Sequence, residues 1–261
     1  MRQLPTHQQV LLAVQTLALV AITIRILAVR LQRTYPFFFL YLLLDLFQTV
    51  ILATVPFDSR AYRNAFVVTE GLITGAYALI TLELYSVVLK DLTGIARFSK
   101  WFIRTILAVA IVVSLLLLGL EMVPHAPTGY LYAIQRPIIS SLVFFLLLIN
   151  AFLVYYPVAL PRNAIVYSIG YAVYFLSKAT VLFVYNVGHH WNEALSTIRI
   201  VVSTACLLFW LFTLSKAGER KSIAIGHWWN KEDEDEVLSR LRAINERLLG
   251  GDRKFANSGK I

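Results

Sequence analysis

Seven long apolar runs constrain this 261-residue chain more than any other feature of its sequence. A membrane-spanning helix needs roughly 20 mostly apolar residues, because the hydrocarbon core is about 30 Å thick and each helical residue rises about 1.5 Å. The runs that meet this requirement are about Gln8–Val29, Tyr35–Val55, Asn64–Leu89, Trp101–Leu120, Tyr132–Tyr156, Ala164–Asn186 and Thr197–Leu214. The sequence therefore predicts an all-α, polytopic transmembrane helix bundle with seven spans in residues 1–216.

The composition agrees with lipid as the main solvent of this chain. Hydrophobic residues make up 58% of it and charged residues 15%, against about 45–50% and about 25% in soluble domains. The net charge of +9 does not indicate nucleic acid, because the basic residues lie at the ends of the apolar runs, where they set membrane orientation. The lone cysteine, Cys206, excludes an internal disulfide.

The basic residues between the runs predict which ends face the cytosol. Cytosolic loops of membrane proteins carry an excess of lysine and arginine. With the N-terminus outside, the cytosolic side receives Arg30, Arg33, Lys90, Arg97, Lys100, Arg162, Lys216, Arg220 and Lys221, whereas the outer side receives Arg2, Arg60 and Arg63. This asymmetry predicts an N-out, C-in, multi-pass protein of the bacterial cytoplasmic (inner) membrane.

Residues 217–261 form a tail of different character, which we predict to be cytosolic. An acidic run, Glu232–Glu236, precedes the basic residues Arg240 and Arg247, an order that complements a helix dipole and predicts a helix over about 231–249. Its apolar stripe consists of Val237, Leu241, Ile244 and Leu248. The stripe could face the membrane surface, the helix bundle or another copy of the chain, and we expect it to bind a protein partner or to self-associate.

Two charged residues lie near the middle of predicted spans. Asp45 is central in the second run, with Gln48 on the same helical face, and Lys178 is central in the sixth. Charges inside the bilayer are costly, so the economical hypothesis is that Asp45 and Lys178 pair or share a water-filled cavity. The alternative is a neutral, hydrogen-bonded Asp45 that only joins helices, with a Lys178 that extends to the interface.

Further charges occur towards the ends of the spans. Glu70 and Glu83 lie thirteen residues apart on the third run, about 20 Å along a helix, and both could line one pathway. Arg136 and Arg199 begin the fifth and seventh runs near the outer side, where either could form a charge cluster with Glu70. The alternative is an ion-pair network that only ties helix ends together. The candidate ligand-binding or ion-pathway residues are therefore Asp45, Gln48, Glu70, Glu83, Arg136, Lys178 and Arg199.

Metal binding and catalysis have little support in the sequence. His125, His189 and Glu193 in the outer loops are weak metal candidates, but their spacing matches no known ligand signature, so a polar loop is the better interpretation. Lys178 falls on the sixth run, whereas the retinal lysine of rhodopsins lies on the seventh helix, which argues against a chromophore. An intramembrane enzyme is the least supported function, because no nucleophile–base or metal constellation is visible, and we predict no cofactor and no catalytic residue.

Two stretches carry a resemblance to known sequences. They are RTYPFFFLYL at residues 33–42 and ELYSVVLK at residues 83–90, and a short helical tail accompanies them. In these features the chain resembles an uncharacterised group of bacterial seven-helix membrane proteins, notably from acidobacteria. The resemblance implies the architecture and leaves the activity open.

Two functions fit these patterns. The first is a receptor-like, scaffold or subunit role, in which the intramembrane and outer polar residues bind a ligand or partner and the tail helix contacts a partner in the cytosol. The second is a small transporter or proton-coupled carrier that uses the midplane charges.

Overall fold

The computed structural model describes residues 6–56, 59–90, 92–120, 127–156, 159–187, 192–220, 222–224, 236 and 238–248. Within these ranges almost all of the chain is helical. The long helices are α1 (Thr6–Val29), α2 (Pro36–Thr54), α3 (Arg60–Val88), α4 (Thr93–Leu120), α5 (Pro127–Tyr155), α6 (Arg162–Val187) and α7 (Asn192–Thr213). The short elements are a 3₁₀ turn (Leu31–Arg33), strand β1 (Ala159–Pro161), helix α8 (Lys216–Arg220) and strand β2 (Ser222–Ala224), with β1 and β2 antiparallel. Residues 238–248 are also helical and are called α9.

Six of the described helices are long and apolar enough to cross a membrane: α1, α2, α3, α5, α6 and α7. This confirms an almost entirely helical architecture that is compatible with a multi-pass membrane protein. The fourth predicted span corresponds to α4, a helix of 28 residues that begins eight residues before the predicted run and so includes Arg97 and Lys100. A seventh crossing and the N-out, C-in orientation stay predictions.

The six helices that are long and apolar enough to cross a membrane form a closed ring. α1 packs on α2, α2 on α3, α3 on α5, α5 on α6, α6 on α7, and α7 returns to α1. α4 packs mainly on α5 and also on α3, so it lies against the outside of this ring. The order of helices around the ring therefore departs from the order along the chain at one place, between α3 and α5.

Apolar and aromatic side chains are distributed as lipid would require. The interior of the helix ring holds fully buried aromatic side chains such as Tyr41, Tyr171 and Trp210. The outer faces expose large hydrophobic side chains, with Phe212 74% exposed and Leu17 70% exposed. Extended apolar surface of this kind marks contact with a membrane or a partner, which agrees with the six apolar helices.

Three residues in the sequence explain two helix starts and one close contact between helices. Pro36 occupies the first turn of α2, where its missing N–H costs nothing. Ser59 caps α3 by accepting a hydrogen bond from the backbone N–H of Tyr62 at 2.9 Å. A Cβ atom at Gly170 would collide with the indole of Trp210, so glycine there lets α6 and α7 approach closely.

The tail helix α9 packs against the beginning of α4. Leu241 is only 4% exposed, and the side-chain carbonyl of Asn245 accepts hydrogen bonds from the backbone N–H groups of Gly94 at 2.7 Å and Ile95 at 3.2 Å. Of the apolar stripe, Leu241 thus faces the helix bundle, Leu248 is half-buried and Ile244 is exposed. Val237 and the predicted start of this helix at 231–235 lie outside the described residues.

Candidate functional site

An ion pair between α3 and α6 lies in the interior of the ring. Lys178 Nζ is 2.7 Å from Glu70 Oε1, and the two side chains are 10% and 9% exposed. Lys178 Nζ also donates to the hydroxyl of Tyr77 at 3.1 Å and lies 4.6 Å from the centroid of its ring. The lysine charge thus lies against one carboxylate and one aromatic ring, both of which stabilise a buried cation.

Amide and hydroxyl groups from neighbouring helices complete the hydrogen bonding of Glu70. Gln135 on α5 donates to Glu70 Oε1 at 2.8 Å and to Thr74 at 3.0 Å. Gln48 on α2 donates to Thr69 at 2.9 Å and to Glu70 Oε2 at 3.3 Å. We call these residues the Glu70 network: Gln48, Thr69, Glu70, Thr74, Tyr77, Gln135 and Lys178. The network joins α2, α3, α5 and α6.

A chain of tyrosine hydroxyls extends the network along the interior. Tyr77 and Tyr174 share a hydrogen bond of 2.9 Å, and Tyr41 donates to Tyr174 at 3.4 Å. Asp45 follows Tyr41 by one helical turn on α2 and is half-buried. Polar groups therefore continue from Lys178 through three phenols towards the middle of α2.

The structure pairs Lys178 with Glu70 instead of Asp45. Asp45 lies within electrostatic range of Glu70, Lys178 and Arg199, but among the described residues it makes no ion pair with the lysine. The physical reason is the rotation of α2, which turns Gln48 towards the lysine's carboxylate partner and leaves Asp45 beside the tyrosine chain. The other form of the hypothesis, a water-filled cavity shared by Asp45 and Lys178, stays a prediction.

The two arginines predicted at the outer side do not bind Glu70 directly. Arg136 is exposed, and its guanidinium lies 5.7 Å from the centroid of the Phe183 ring. Its neighbour Gln135 faces the interior instead, because adjacent helical residues point about 100° apart. Arg199 is also exposed and reaches Glu70 only through longer-range electrostatics.

Glu83 has a separate set of partners at the end of the bundle where α2 begins. Its Oε2 accepts hydrogen bonds from the backbone N–H groups of Phe37 at 2.9 Å and Phe38 at 3.1 Å. A carboxylate from α3 thus caps the positive end of the α2 dipole. Thirteen helical residues leave Glu70 and Glu83 about 140° apart around the α3 axis, and the described contacts give them no common partner. These contacts do not test whether Glu70 and Glu83 line a single pathway, which stays a prediction.

Helix α8 closes the same end of the ring. Asn163 at the start of α6 donates to the backbone carbonyl of Ser215 at 2.7 Å and to Glu219 at 3.1 Å. Tyr35 donates to the same Glu219 carboxylate at 3.2 Å. A Cβ atom at Gly218 would collide with Asn163, so this glycine is what allows the close contact.

Several members of the site were not predicted from the sequence: Thr69, Thr74, Tyr77, Gln135 and Tyr174. Gln135 carried a usable signal, since an amide in an apolar span typically hydrogen-bonds to another helix. The tyrosines carried none, because tyrosine is common both in bundle interiors and at membrane interfaces.

The weak metal candidates cannot be placed. His125 and His189 lie outside the described residues, and the same holds for the side chain of Glu193. In the part of the chain that the structure describes, no group of three or more histidine, cysteine or acidic side chains could hold a metal ion.

Comparison of the chain with protein-family models, with curated proteins and with solved structures gives no match. The resemblance to the acidobacterial seven-helix group therefore stays a prediction.

Proposed function

We propose that this chain is a receptor-like membrane protein in which the Glu70–Lys178 pair holds one of two conformations of the bundle. It would cross the bacterial cytoplasmic membrane seven times, with the N-terminus outside and the C-terminus in the cytosol. The observation that carries the proposal is the ion pair in the ring interior, with side chains 9% and 10% exposed. Ionisable groups at such positions are expensive to maintain and are functional candidates by default.

The location of the pair suits a conformational switch better than a purely structural role. Desolvation offsets much of the attraction in a buried ion pair, so such pairs are weak contributors to stability. This pair links α3 with α6, which otherwise touch less than neighbours in the ring do. A ligand that supplies an anionic group to Lys178 or a cationic group to Glu70 would release the two helices from each other.

The tail helix α9 could pass a change in the bundle to a partner in the cytosol. Asn245 holds α9 against the beginning of α4, and Leu241 is buried in the hydrophobic core. Release of α9 would expose the apolar Leu241 and free the first N–H groups of α4, so the stripe would become available to a cytosolic partner.

Hydrogen–deuterium exchange on the full-length protein in lipid nanodiscs tests this coupling. Glu70→Gln and Lys178→Met should each speed exchange in residues 238–248 by about tenfold or more, which corresponds to about 1.4 kcal/mol of lost docking free energy. Lys216→Met is the matched control, because Lys216 is an exposed lysine on α8. Unchanged exchange in both network variants would contradict the receptor-like mechanism.

Native mass spectrometry of the wild-type protein and the three variants tests whether a ligand binds at the Glu70 network. The wild-type protein and Lys216→Met should retain a co-purified small molecule or protein that Glu70→Gln and Lys178→Met lose. If all four samples carry the same bound species, the Glu70 network is not the binding site.

The second candidate is a proton-coupled carrier, which the hydroxyl chain from Lys178 through Tyr77 and Tyr174 to Tyr41 favours. Continuous hydrogen-bonded chains of titratable groups suit proton movement within a membrane. In proteoliposomes with an imposed pH gradient, Asp45→Asn and Lys178→Ala should abolish proton-linked uptake. Uptake indifferent to both substitutions would remove this candidate.

A further inference from the structure

Four buried polar atoms have no hydrogen-bond partner among the described residues around the interior face of α6. They are Glu83 Oε1, the hydroxyl oxygens of Tyr167 and Tyr171, and Trp210 Nε1. The two tyrosines are completely buried, and Glu83 is 6% exposed. A buried polar group without a partner is costly, so native proteins almost always satisfy such groups with protein atoms or ordered water.

The four side chains that carry these atoms form a cluster around Phe38. The backbone N–H of Phe38 donates to Glu83 Oε2 at 3.1 Å, which leaves the other carboxylate oxygen for another partner. The Phe38 ring centroid lies 5.1 Å from that of Tyr167, 5.7 Å from that of Tyr171 and 5.2 Å from that of Trp210. Both phenols also lie within electrostatic range of the Glu83 carboxylate.

The unpaired atoms of this cluster require a small molecule that can both donate and accept hydrogen bonds. The carboxylate oxygen only accepts, whereas each phenol can donate and accept. The rings of Tyr167 and Tyr171 are packed with centroids 4.9 Å apart, and those of Tyr171 and Trp210 are 4.7 Å apart. A buried water needs little space and typically makes about three hydrogen bonds to otherwise unsatisfied groups.

We infer that Glu83, Tyr167 and Tyr171 form a binding site for a structural water molecule, which donates to Glu83 Oε1 and bridges the two phenols. The site goes beyond the proposed receptor-like function and does not depend on it. Because the rings of Tyr171 and Tyr174 lie 6.4 Å apart, it would bring hydrogen-bonded groups from Glu83 close to the tyrosine chain that leads to Lys178.

Thermal unfolding of tyrosine-to-phenylalanine variants in nanodiscs tests the site, since these changes keep the rings and remove only the hydroxyls. Tyr167→Phe and Tyr171→Phe should each lower the Tm, by a shift comparable to that of Tyr85→Phe, whose hydroxyl donates to the Phe145 carbonyl at 2.7 Å. The double variant should shift the Tm by less than the sum, because both hydroxyls serve one water. Unchanged or raised Tm values, or strictly additive shifts, would overturn the shared site.

A high-resolution cryo-EM map of the wild-type protein provides the second reading. We expect a single rounded density of water size between Glu83 Oε1 and the two phenol oxygens. A larger density, or phenol hydroxyls bonded directly to protein atoms, would overturn it.

Discussion

Replacing Lys178 with methionine should destabilise the bundle strongly, because the change leaves the Glu70 carboxylate buried without its cation. At 2.7 Å and an effective dielectric constant of about 20, the gross attraction of the pair is about 6 kcal/mol. Desolvation of the two charges offsets much of this value in the intact pair. Removal of one partner loses the attraction but keeps the desolvation of the other, so we expect a loss of about 3–5 kcal/mol in the free energy of unfolding.

The double variant Glu70→Gln/Lys178→Met separates the pair from its surroundings. Gln48 and Gln135 can still hydrogen-bond to a glutamine at position 70, so the double variant should be more stable than either single variant. Reversible unfolding in mixed micelles measures all three free energies. Lys216→Met should change stability by about 0.5 kcal/mol or less, as an exposed control.

Two outcomes would refute this reasoning. Single variants that each cost less than about 1 kcal/mol would place the pair in a water-like environment, where ion pairs contribute little. Strictly additive effects in the double variant would mean that the two side chains do not interact.

Four further substitutions test helix packing and helix capping. Gly170→Ala should lower the free energy of unfolding by about 1–3 kcal/mol, because its Cβ collides with Trp210, whereas Gly75→Ala, which meets open space, should be neutral or slightly stabilising in the same assay. Asn245→Ala should remove the cap of α4 at a cost of about 1 kcal/mol, seen as faster amide exchange at residues 94 and 95. Unchanged exchange at these two residues would contradict the docking of α9. Glu83→Gln should weaken the capping of α2, because it removes the negative charge at the start of this helix, and amide exchange at residues 37 and 38 should become faster. Unchanged exchange at these residues would mean that the Glu83 carboxylate does not cap α2.

The length and polarity of the helices could be predicted from the sequence because the membrane dictates both. A run of about 20 apolar residues has few other stable solutions, and each of the seven runs corresponds to a long helix. The position of α4 outside the ring could not be predicted, because span length carries no information about which helices become neighbours.

The candidate site was harder to predict, because it depends on how each helix is rotated about its axis. Gln48, Glu70 and Lys178 were identified as costly residues, and the structure brings them into one network. Asp45 lies one turn from Gln48, yet a modest rotation of α2 decides which of the two faces the Glu70 carboxylate. Gln135 replaces Arg136 for the same reason, since two consecutive residues cannot both point inward.

The water site at Glu83 shows a different limit of the sequence. A glutamate in an apolar span indicates a partner, but the sequence cannot show that the partner of one oxygen is the start of α2. Nor can it show that the other oxygen is buried without a hydrogen-bond partner among the described residues.

The most direct test of the account is a cryo-EM structure of the full-length protein in a lipid nanodisc. We expect the lipid belt to surround the ring of six helices with α4 on its outer face, and Lys178 Nζ to lie within hydrogen-bonding distance of Glu70 inside that belt. A Lys178 side chain that extends to the headgroups or binds Asp45, or a ring whose outer faces contact water, would contradict the account.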